Sequence, residues 1–334
     1  MNFAAILPTT SNLVIAIILL IVGLVCIIKG GDFFVDASVW VAEVLKMPKF
    51  LIGATIVSIA TTLPEMIVSI IAVVEGNLAI SVGNAVGSVT ANTGLILAIS
   101  AIFVSCAIER RDFGIKSILI IASTLIILLF TIFDNGKFGY IPSVLSIIVL
   151  IYYMYETAIS AKKNQKNTED SDKTIRERVS SKTIALNIIK FIAGAAGIVL
   201  GADLLVSNAS FVASAIGVSD GIIAITIVAI GTSLPELITT ITSIVKKQGD
   251  LGVGNIVGAN IIDLTLILPV CSIISGGNLV VEPQNLLLDI PACLIISAVA
   301  VIPALIFKKF TKIQGVILLV LYITYVVLAA TLKF

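Results

Sequence analysis

The chain has 334 residues, of which 58% are hydrophobic and 12% are charged, and its mean hydropathy is +1.17. Soluble domains carry about 25% charged residues, so this composition excludes a soluble globular fold and indicates a polytopic membrane protein. The net charge of +1 gives no indication of nucleic-acid binding, and the absence of histidine removes the commonest transition-metal ligand.

Apolar stretches long enough to cross a bilayer follow one another along the chain. A helical span needs about 20 apolar residues. On this criterion we predict an all-α polytopic membrane protein with ten transmembrane helices. The spans lie near residues 11–29, 49–74, 78–104, 115–133, 140–160, 183–206, 220–245, 250–275, 286–307 and 313–332. The less apolar stretches 30–48 and 201–219 are expected to be tilted extensions or interfacial pieces.

One segment of the chain occurs twice, 171 residues apart. The first copy runs from Gly53 to Asn92 and the second from Ala224 to Asp263. The copies lie within repeats near residues 49–104 and 220–275. This duplication predicts that the protein consists of two structurally related halves.

The two halves each contain five predicted spans. Because five is odd, the second half must cross the membrane in the opposite sense, which is a known transporter architecture. We therefore expect inverted five-helix repeats in residues 1–161 and 183–334, joined by a loop at 162–182.

Basic residues are concentrated in alternate loops. The central loop has seven, and smaller clusters lie at 46–49, 110–116, 246–247 and 308–312. By the positive-inside rule these loops are cytoplasmic and both termini are outside. We expect an integral protein of a prokaryotic plasma membrane that needs no protein partner and can act as a monomer.

Each copy places one glutamate, Glu65 or Glu236, inside an otherwise apolar stretch. Neither helix core contains a Lys or Arg that could pair with it. An ionised carboxylate inside a membrane is costly and typically marks an ion pathway or binding site. Two such acids at matching positions predict a cation site between the repeats.

Further oxygen ligands surround each glutamate in the sequence. The residues three and four positions before it share its helix face and are all hydroxylic, namely Thr61, Thr62, Thr232 and Ser233. The proline directly before it lacks an N–H group and frees the carbonyl four residues earlier. Hydroxyl, carbonyl and carboxylate oxygens are hard ligands that suit Na⁺ and Ca²⁺.

The second part of each repeat supplies polar positions at equal distances from the glutamate. Ser88 and Asn92 lie 23 and 27 residues after Glu65, and Ala259 and Asp263 lie at the same distances after the second glutamate. The equal spacing predicts that these positions converge on one central site. A hydroxyl within a span can instead bond to its own backbone.

These residues resemble the α-repeats of the cation/calcium exchanger superfamily. Its pattern is G-T-S-L-P-E followed by G-N-x-x-G-S/A-N-x-x-D, which residues 231–236 and 254–263 match closely. The resemblance covers the whole chain and is closest to prokaryotic sodium/calcium exchangers. It implies an antiporter without enzymatic activity or cofactor that expels Ca²⁺ against inward Na⁺, with spans one and six sliding over a fixed core.

The resemblance also implies a ligand set. Glu65 and Glu236 would be the main Ca²⁺ ligands. Further Ca²⁺ and Na⁺ ligands would be the side chains of Thr62, Ser88, Asn92, Thr232, Ser233 and Asp263 and the backbone carbonyls of Ser58 and Ala229.

The sequence departs from the family pattern at three places. It has Ala60-Thr61-Thr62 where Gly-Thr-Ser is common, Val89 where Asn is usual, and Ala259 in place of a hydroxyl. Two alternatives therefore stay open: antiport of Ca²⁺ or another divalent cation coupled to H⁺, and a carboxylate-lined cation channel. An intramembrane hydrolase is disfavoured because no histidine is available to activate a serine.

Overall fold

A computed structural model of the protein describes Thr10 and residues 12–103, 110–168, 181–215 and 231–332. The described chain is almost entirely helical, which confirms the predicted all-α membrane fold. Its helices are α1 (Leu13–Leu45), α2 (Lys49–Thr61), α3 (Leu63–Val74), α4 (Leu78–Phe103), α5 (Arg110–Phe133), α6 (Tyr140–Thr168), α7 (Ser181–Ala215), α8 (Leu234–Val245), α9 (Gly249–Ile274), α10 (Asn285–Phe307) and α11 (Lys312–Thr331). Two short strands, β1 (Lys137–Phe138) and β2 (Leu279–Val280), pair antiparallel.

The number of spans agrees approximately with the ten expected. Among the described residues, eight helices are long and apolar enough to cross a membrane, and a ninth span forms if α2 and α3 are counted together. Helix α8 is the second part of the span expected at 220–245, and the first part of that span lies outside the described residues.

The stretches expected to be extensions are continuous with their spans. Helix α1 has 33 residues and α7 has 35, so each is about 50 Å long at about 1.5 Å per residue. The hydrocarbon core is only about 30 Å thick. These two helices therefore have to tilt or extend beyond the core.

A sharp bend separates α2 from α3. The two helices meet at Thr62 with an angle of 42° between them. Pro64 lies in the first turn of α3, where its missing N–H is tolerated, and Pro235 has the same position in α8. The predicted proline breaks are therefore present, and each places a glutamate in the first turn of a new helix.

Helices α4 and α9 lie in the centre of the protein, and α1 and α7 lie at its periphery. Helix α2 packs against α9 so closely that their backbones are in contact. A Cβ atom at Gly258 of α9 would lie only 2.6 Å from the carbonyl oxygen of Ala54 in α2, so only glycine fits there. Helices α1 and α7 pack along each other in the same way, with Gly23 against Gly201. Small residues allow such close approach in membrane proteins.

Polar contacts and a strand pair bring segments of the two halves together at two places. At one place Lys49 Nζ donates to Gln248 Oε1 at 2.6 Å, and Lys246 Nζ lies 2.8 Å from Asp36 Oδ1. At the other, β1 before α6 pairs with β2 before α10. This arrangement is the one expected for inverted halves.

Lys116 lies in a different environment from the one assigned to it. The sequence places it in a basic loop cluster, but it is fully buried in α5 and pairs with Glu156 of α6 at 2.8 Å. Because burial of an unpaired ammonium group is costly, the carboxylate partner is what permits this position.

Candidate cation site

Three buried carboxyl groups form the centre of the candidate site. Glu65 lies in the first turn of α3, Glu236 in the first turn of α8, and Asp263 in the middle of α9, and all three are fully buried. Glu65 is close enough to the other two to interact with both electrostatically. The topology thus brings together the acids that the sequence singles out.

The carboxylate oxygens of these three residues make no hydrogen bond of normal geometry in the described part of the chain, although the hydroxyls of Thr61 and Ser88 lie near Glu236 and Asp263. Within the part of the chain that the structure describes, none of the six oxygens has a hydrogen-bond partner. The N-terminal turn of a helix favours negative charge, which helps Glu65 and Glu236. Their remaining burial cost is uncompensated, so the site has the electrostatics of one that receives cations.

The central helices widen where they reach the site. Five-residue π-helical turns begin at Asn92 in α4 and at Asp263 in α9, and another covers Gly53–Val57 in α2. Such turns interrupt the regular backbone ladder and are frequent at functional sites. The two that begin at Asn92 and Asp263 occupy equivalent positions in the repeats.

Among the described residues, four side-chain hydrogen bonds connect the two repeats around the carboxylates. The hydroxyls of Ser88 and Ser233 lie 3.3 Å apart, and Thr61 Oγ1 donates to Asn255 Oδ1 at 3.0 Å. The third joins Asn92 Nδ2 to Asn260 Oδ1 at 3.1 Å. In the fourth, Asn260 Nδ2 donates to Thr93 Oγ1 at 2.8 Å. These bonds hold polar side chains from both halves against one another in a buried region.

The candidate ligands Ser58 and Thr62 are engaged with each other. The Ser58 carbonyl accepts a hydrogen bond from the backbone N–H of Thr62 at 2.9 Å and a second from its hydroxyl. The same carbonyl lies 3.3 Å from Thr61 Oγ1 and is the alternative acceptor for the single proton that this hydroxyl donates to Asn255. A cation could bind the Ser58 carbonyl only if these hydroxyls rotated away.

The remaining predicted ligand positions differ in burial and in whether they provide an oxygen atom. Thr232 is half-buried at the break before α8, and Ala229 lies outside the described residues. Ala259 is fully buried and provides no oxygen side chain where the first repeat has Ser88. The Thr62 hydroxyl, equivalent to that of Ser233, is bonded within its own helix. The two repeats therefore offer unequal sets of ligands.

The acidic groups alone do not form a metal cage. No three His, Cys, Asp or Glu side chains among the described residues are arranged to hold a metal ion by themselves. Ca²⁺ takes six to eight oxygen ligands, commonly including carbonyl, amide and water oxygens. A cation at this site therefore needs the neutral oxygens as well as the carboxylates.

The predicted ligand set omits three asparagines of this region, namely Asn84, Asn255 and Asn260. Asn84 Nδ2 donates to the Glu65 carbonyl at 3.2 Å and to Ser69 Oγ at 2.9 Å. Asn255, its equivalent, accepts from Thr61 instead. Asn84 and Asn255 occupy equivalent positions in the two repeats, and this repetition could have identified them from the sequence. For Asn260 the sequence gives only the difference from Val89, which stands at the equivalent position of the first repeat.

Comparison with known proteins places the chain in a family. A family model described as "Sodium/calcium exchanger protein" matches residues 15–157 and 186–331. An uncharacterised membrane protein of Methanocaldococcus jannaschii is 33% identical and covers 91% of this chain and 94% of its own length. Sodium/calcium exchanger MaX1 of Methanosarcina acetivorans is 27% identical, covering 93% and 97%.

Solved structures show the same similarity. A structure of the sodium-calcium exchanger NCX_Mj, soaked with Na⁺ and Sr²⁺, superposes with a TM-score of 0.79 at 28% identity. The match covers 96% of this chain and all of the other. With its all-α membrane fold and its match to the family model over most of its length, the chain belongs to the sodium/calcium exchanger protein family.

Proposed function

We propose that the protein is a secondary antiporter that exchanges Ca²⁺ for Na⁺ through one shared site, located at the midplane between its repeats. Membership of a cation-exchanger family supports cation antiport. The observation that carries the finer proposal is the group formed by Glu65, Glu236 and Asp263, which are fully buried without hydrogen-bond partners among the described residues. Such a group requires positive charge.

Charge balance explains why the two cargo ions exclude each other. The three carboxylates offer three negative charges, which can balance one Ca²⁺ with a residual charge of −1 or about three Na⁺. Loading both together would bring excess positive charge into a region of low dielectric, which is unfavourable. Occupation by one ion therefore releases the other, and this release is the basis of exchange.

The proposed ligands extend beyond the carboxylates. We assign Glu65 and Glu236 as the main Ca²⁺ ligands and Asp263 as a third acid. The side chains of Ser88, Asn92 and Ser233 are buried and take part in hydrogen bonds between the repeats, and we assign their oxygens as neutral ligands. Thr61, Thr62 and Thr232, with the carbonyls of Ser58 and Ala229, complete the proposed sets.

Alternating access is proposed to come from the peripheral helices. Helices α1 and α7 contact each other closely through glycines, such as Gly23 and Gly201, and most residues in both helices are not buried. Since the central helices α4 and α9 hold the site, movement of the α1–α7 pair could open one face at a time. The NCX_Mj structures are described as showing ion exchange and binding-site occlusion, which supports this comparison.

The proposed topology follows the distribution of basic residues. We propose that the halves 1–161 and 183–334 flank a cytoplasmic loop at 162–182, with both termini outside a prokaryotic plasma membrane. Residues 169–180 of that loop lie outside the described residues. The hydrogen bond between Lys49 and Gln248 supports only the part of this proposal that puts their two basic clusters on the same face.

Flux measurements in proteoliposomes test the proposed exchange. Vesicles loaded with Na⁺, K⁺ or choline, each with and without a pH gradient, are diluted into ⁴⁵Ca²⁺, and uptake is followed over time. We expect uptake only from Na⁺-loaded vesicles. Uptake driven by a pH gradient alone would indicate H⁺ coupling, and uptake without any counter-ion would indicate a channel.

A further inference from the structure

We propose that Asn260 is a positioning residue that turns the side-chain oxygen of Asn92 towards the bound cation. This inference rests on the proposed function, because it assigns a partner to one of the proposed ligands. Both asparagines are buried, with exposed fractions of 2% for Asn260 and 0% for Asn92. Neither carries a charge, so hydrogen bonding alone sets the orientation of each amide.

A short chain of hydrogen bonds sets these orientations. Asn260 Nδ2 donates to Thr93 Oγ1 at 2.8 Å, which leaves its Oδ1 facing Asn92. Asn92 Nδ2 donates to this oxygen at 3.1 Å. The remaining polar atom, Asn92 Oδ1, is buried and has no hydrogen-bond partner among the described residues. Asn92 starts the π-helical turn that packs against α8, and the first turn of α8 carries Glu236, so this oxygen is available as a ligand.

Orientation matters for an amide because its two ends are chemically opposite. The oxygen accepts and can bind a cation, whereas the NH₂ group only donates and presents partial positive charge. A rotation of about 180° would therefore exchange an attractive ligand for a repulsive group. A hydrogen-bond acceptor fixed opposite the NH₂ group prevents this exchange.

The other repeat provides an internal comparison. The equivalent of Asn92 is Asp263, and the equivalent of Asn260 is Val89, which is fully buried. A carboxylate presents an oxygen at both ends and needs no partner to choose between them. The chain thus contains a hydrogen-bonded amide pair at these positions in one case and, at the equivalent positions, a carboxylate and an apolar residue. The proposed role of Asn260 explains both pairings.

Four proteins test the proposal through Ca²⁺ binding: the wild type, Asn260→Val, Asn92→Asp, and the double variant. Each is purified in detergent, and its Ca²⁺ affinity is measured by isothermal titration at fixed pH without Na⁺. We expect Asn260→Val alone to weaken Ca²⁺ binding about tenfold, which is the effect of about 1.4 kcal/mol. When Asn92→Asp is already present, adding Asn260→Val should change the affinity less than about threefold, the effect of about 0.6 kcal/mol.

The double variant separates positioning from a general structural role. It reproduces at the second pair the carboxylate–valine combination that the chain already has at Asp263 and Val89. If Asn260 only supports the fold, its loss weakens binding equally in both backgrounds, and that result would overturn the proposal. Equal affinity of Asn260→Val and the wild type would overturn it as well.

Two controls make the outcome interpretable. Thermal unfolding of all four proteins shows which remain folded, since Asn260→Val also leaves the Asn92 NH₂ group unpaired and is expected to lower the unfolding temperature. Thr93→Val removes only the anchor of Asn260, and we expect a smaller loss of affinity in the same direction. A wild type that binds no Ca²⁺ would contradict the proposed function rather than the role of Asn260.

Discussion

Replacement of Glu65 by glutamine removes one negative charge from the site and keeps its shape. The side chain is fully buried at the start of α3, and its oxygens have no hydrogen-bond partner among the described residues. The substitution therefore breaks no hydrogen bond that the structure shows. We expect Ca²⁺ binding to weaken strongly while the folded protein without Ca²⁺ stays at least as stable as the wild type.

The size of the effect follows from the electrostatics of a buried pair. With charge centres about 4 Å apart and an effective dielectric constant of about 20, a carboxylate and a divalent cation attract each other by about 8 kcal/mol. The amide oxygen of glutamine carries a partial negative charge and retains part of this attraction. The remaining difference of about 3–4 kcal/mol corresponds to an affinity weaker by about 100- to 1,000-fold.

Isothermal titration with Ca²⁺ measures the affinity, and thermal unfolding without Ca²⁺ measures the stability. Glu75→Gln is the matched control because Glu75 is an exposed carboxylate at the other end of α3. This control should bind Ca²⁺ like the wild type. A loss of less than tenfold in Glu65→Gln, or an equal loss in Glu75→Gln, would refute the assignment of Glu65 as a main ligand.

Three further substitutions test separate parts of the account. Ala259→Ser introduces the hydroxyl that Ser88 provides in the other repeat. We expect Na⁺ to displace Ca²⁺ at about fivefold lower concentration, which corresponds to about 1 kcal/mol for one added hydrogen-bonding group. An unchanged Na⁺ concentration would show that this position is outside the site. Gly258→Ala should lower the free energy of unfolding by about 1–3 kcal/mol in a denaturation assay, because the added methyl group would clash with the α2 backbone. Gly87 is the equivalent residue of the first repeat, and a methyl group there would have no neighbouring atom within 4 Å. Gly87→Ala should therefore have little effect in the same assay. Lys116→Met should destabilise the protein by about 3–5 kcal/mol, because it leaves the buried Glu156 carboxylate without its ion-pair partner. Adding Glu156→Leu to the same chain should recover most of this loss. A double variant that recovers no stability would contradict the pairing of the two residues.

The local features of the repeats could be predicted because they depend on neighbouring residues. The proline before each glutamate predicts a helix break, and the structure has breaks before α3 and α8. The apolar run lengths predict the spans, since a bilayer of fixed thickness sets the length of a helix that crosses it. The duplication predicts inverted halves because each contains an odd number of spans.

The contacts between the repeats could not be predicted in the same way. Asn255 accepts from Thr61, whereas its equivalent Asn84 bonds to Ser69 within its own repeat. Similar local sequences thus make different bonds, although the positions equivalent to the two partners, Thr240 and Thr232, are hydroxylic as well. The π-helical turns at Asn92 and Asp263 also escape prediction, since they depend on packing against other helices rather than on local propensity.

Lys116 shows a limit of reading charge alone. A basic residue near the end of a span suggests a loop, and only the fold brings Glu156 of α6 beside it. A long-range partner of this kind leaves no periodic or compositional signal in the sequence. Buried ion pairs between spans therefore have to be found in the structure.

Displacement of Ca²⁺ by Na⁺ from the purified protein tests the central claim of one shared site most directly. Bound ⁴⁵Ca²⁺ is measured by equilibrium dialysis at fixed pH and ionic strength while Na⁺ replaces choline. The account predicts saturable binding of Ca²⁺ that Na⁺ displaces completely, with a Hill coefficient above one because more than one Na⁺ is needed to balance the carboxylates. Ca²⁺ that stays bound at saturating Na⁺ would contradict a shared site.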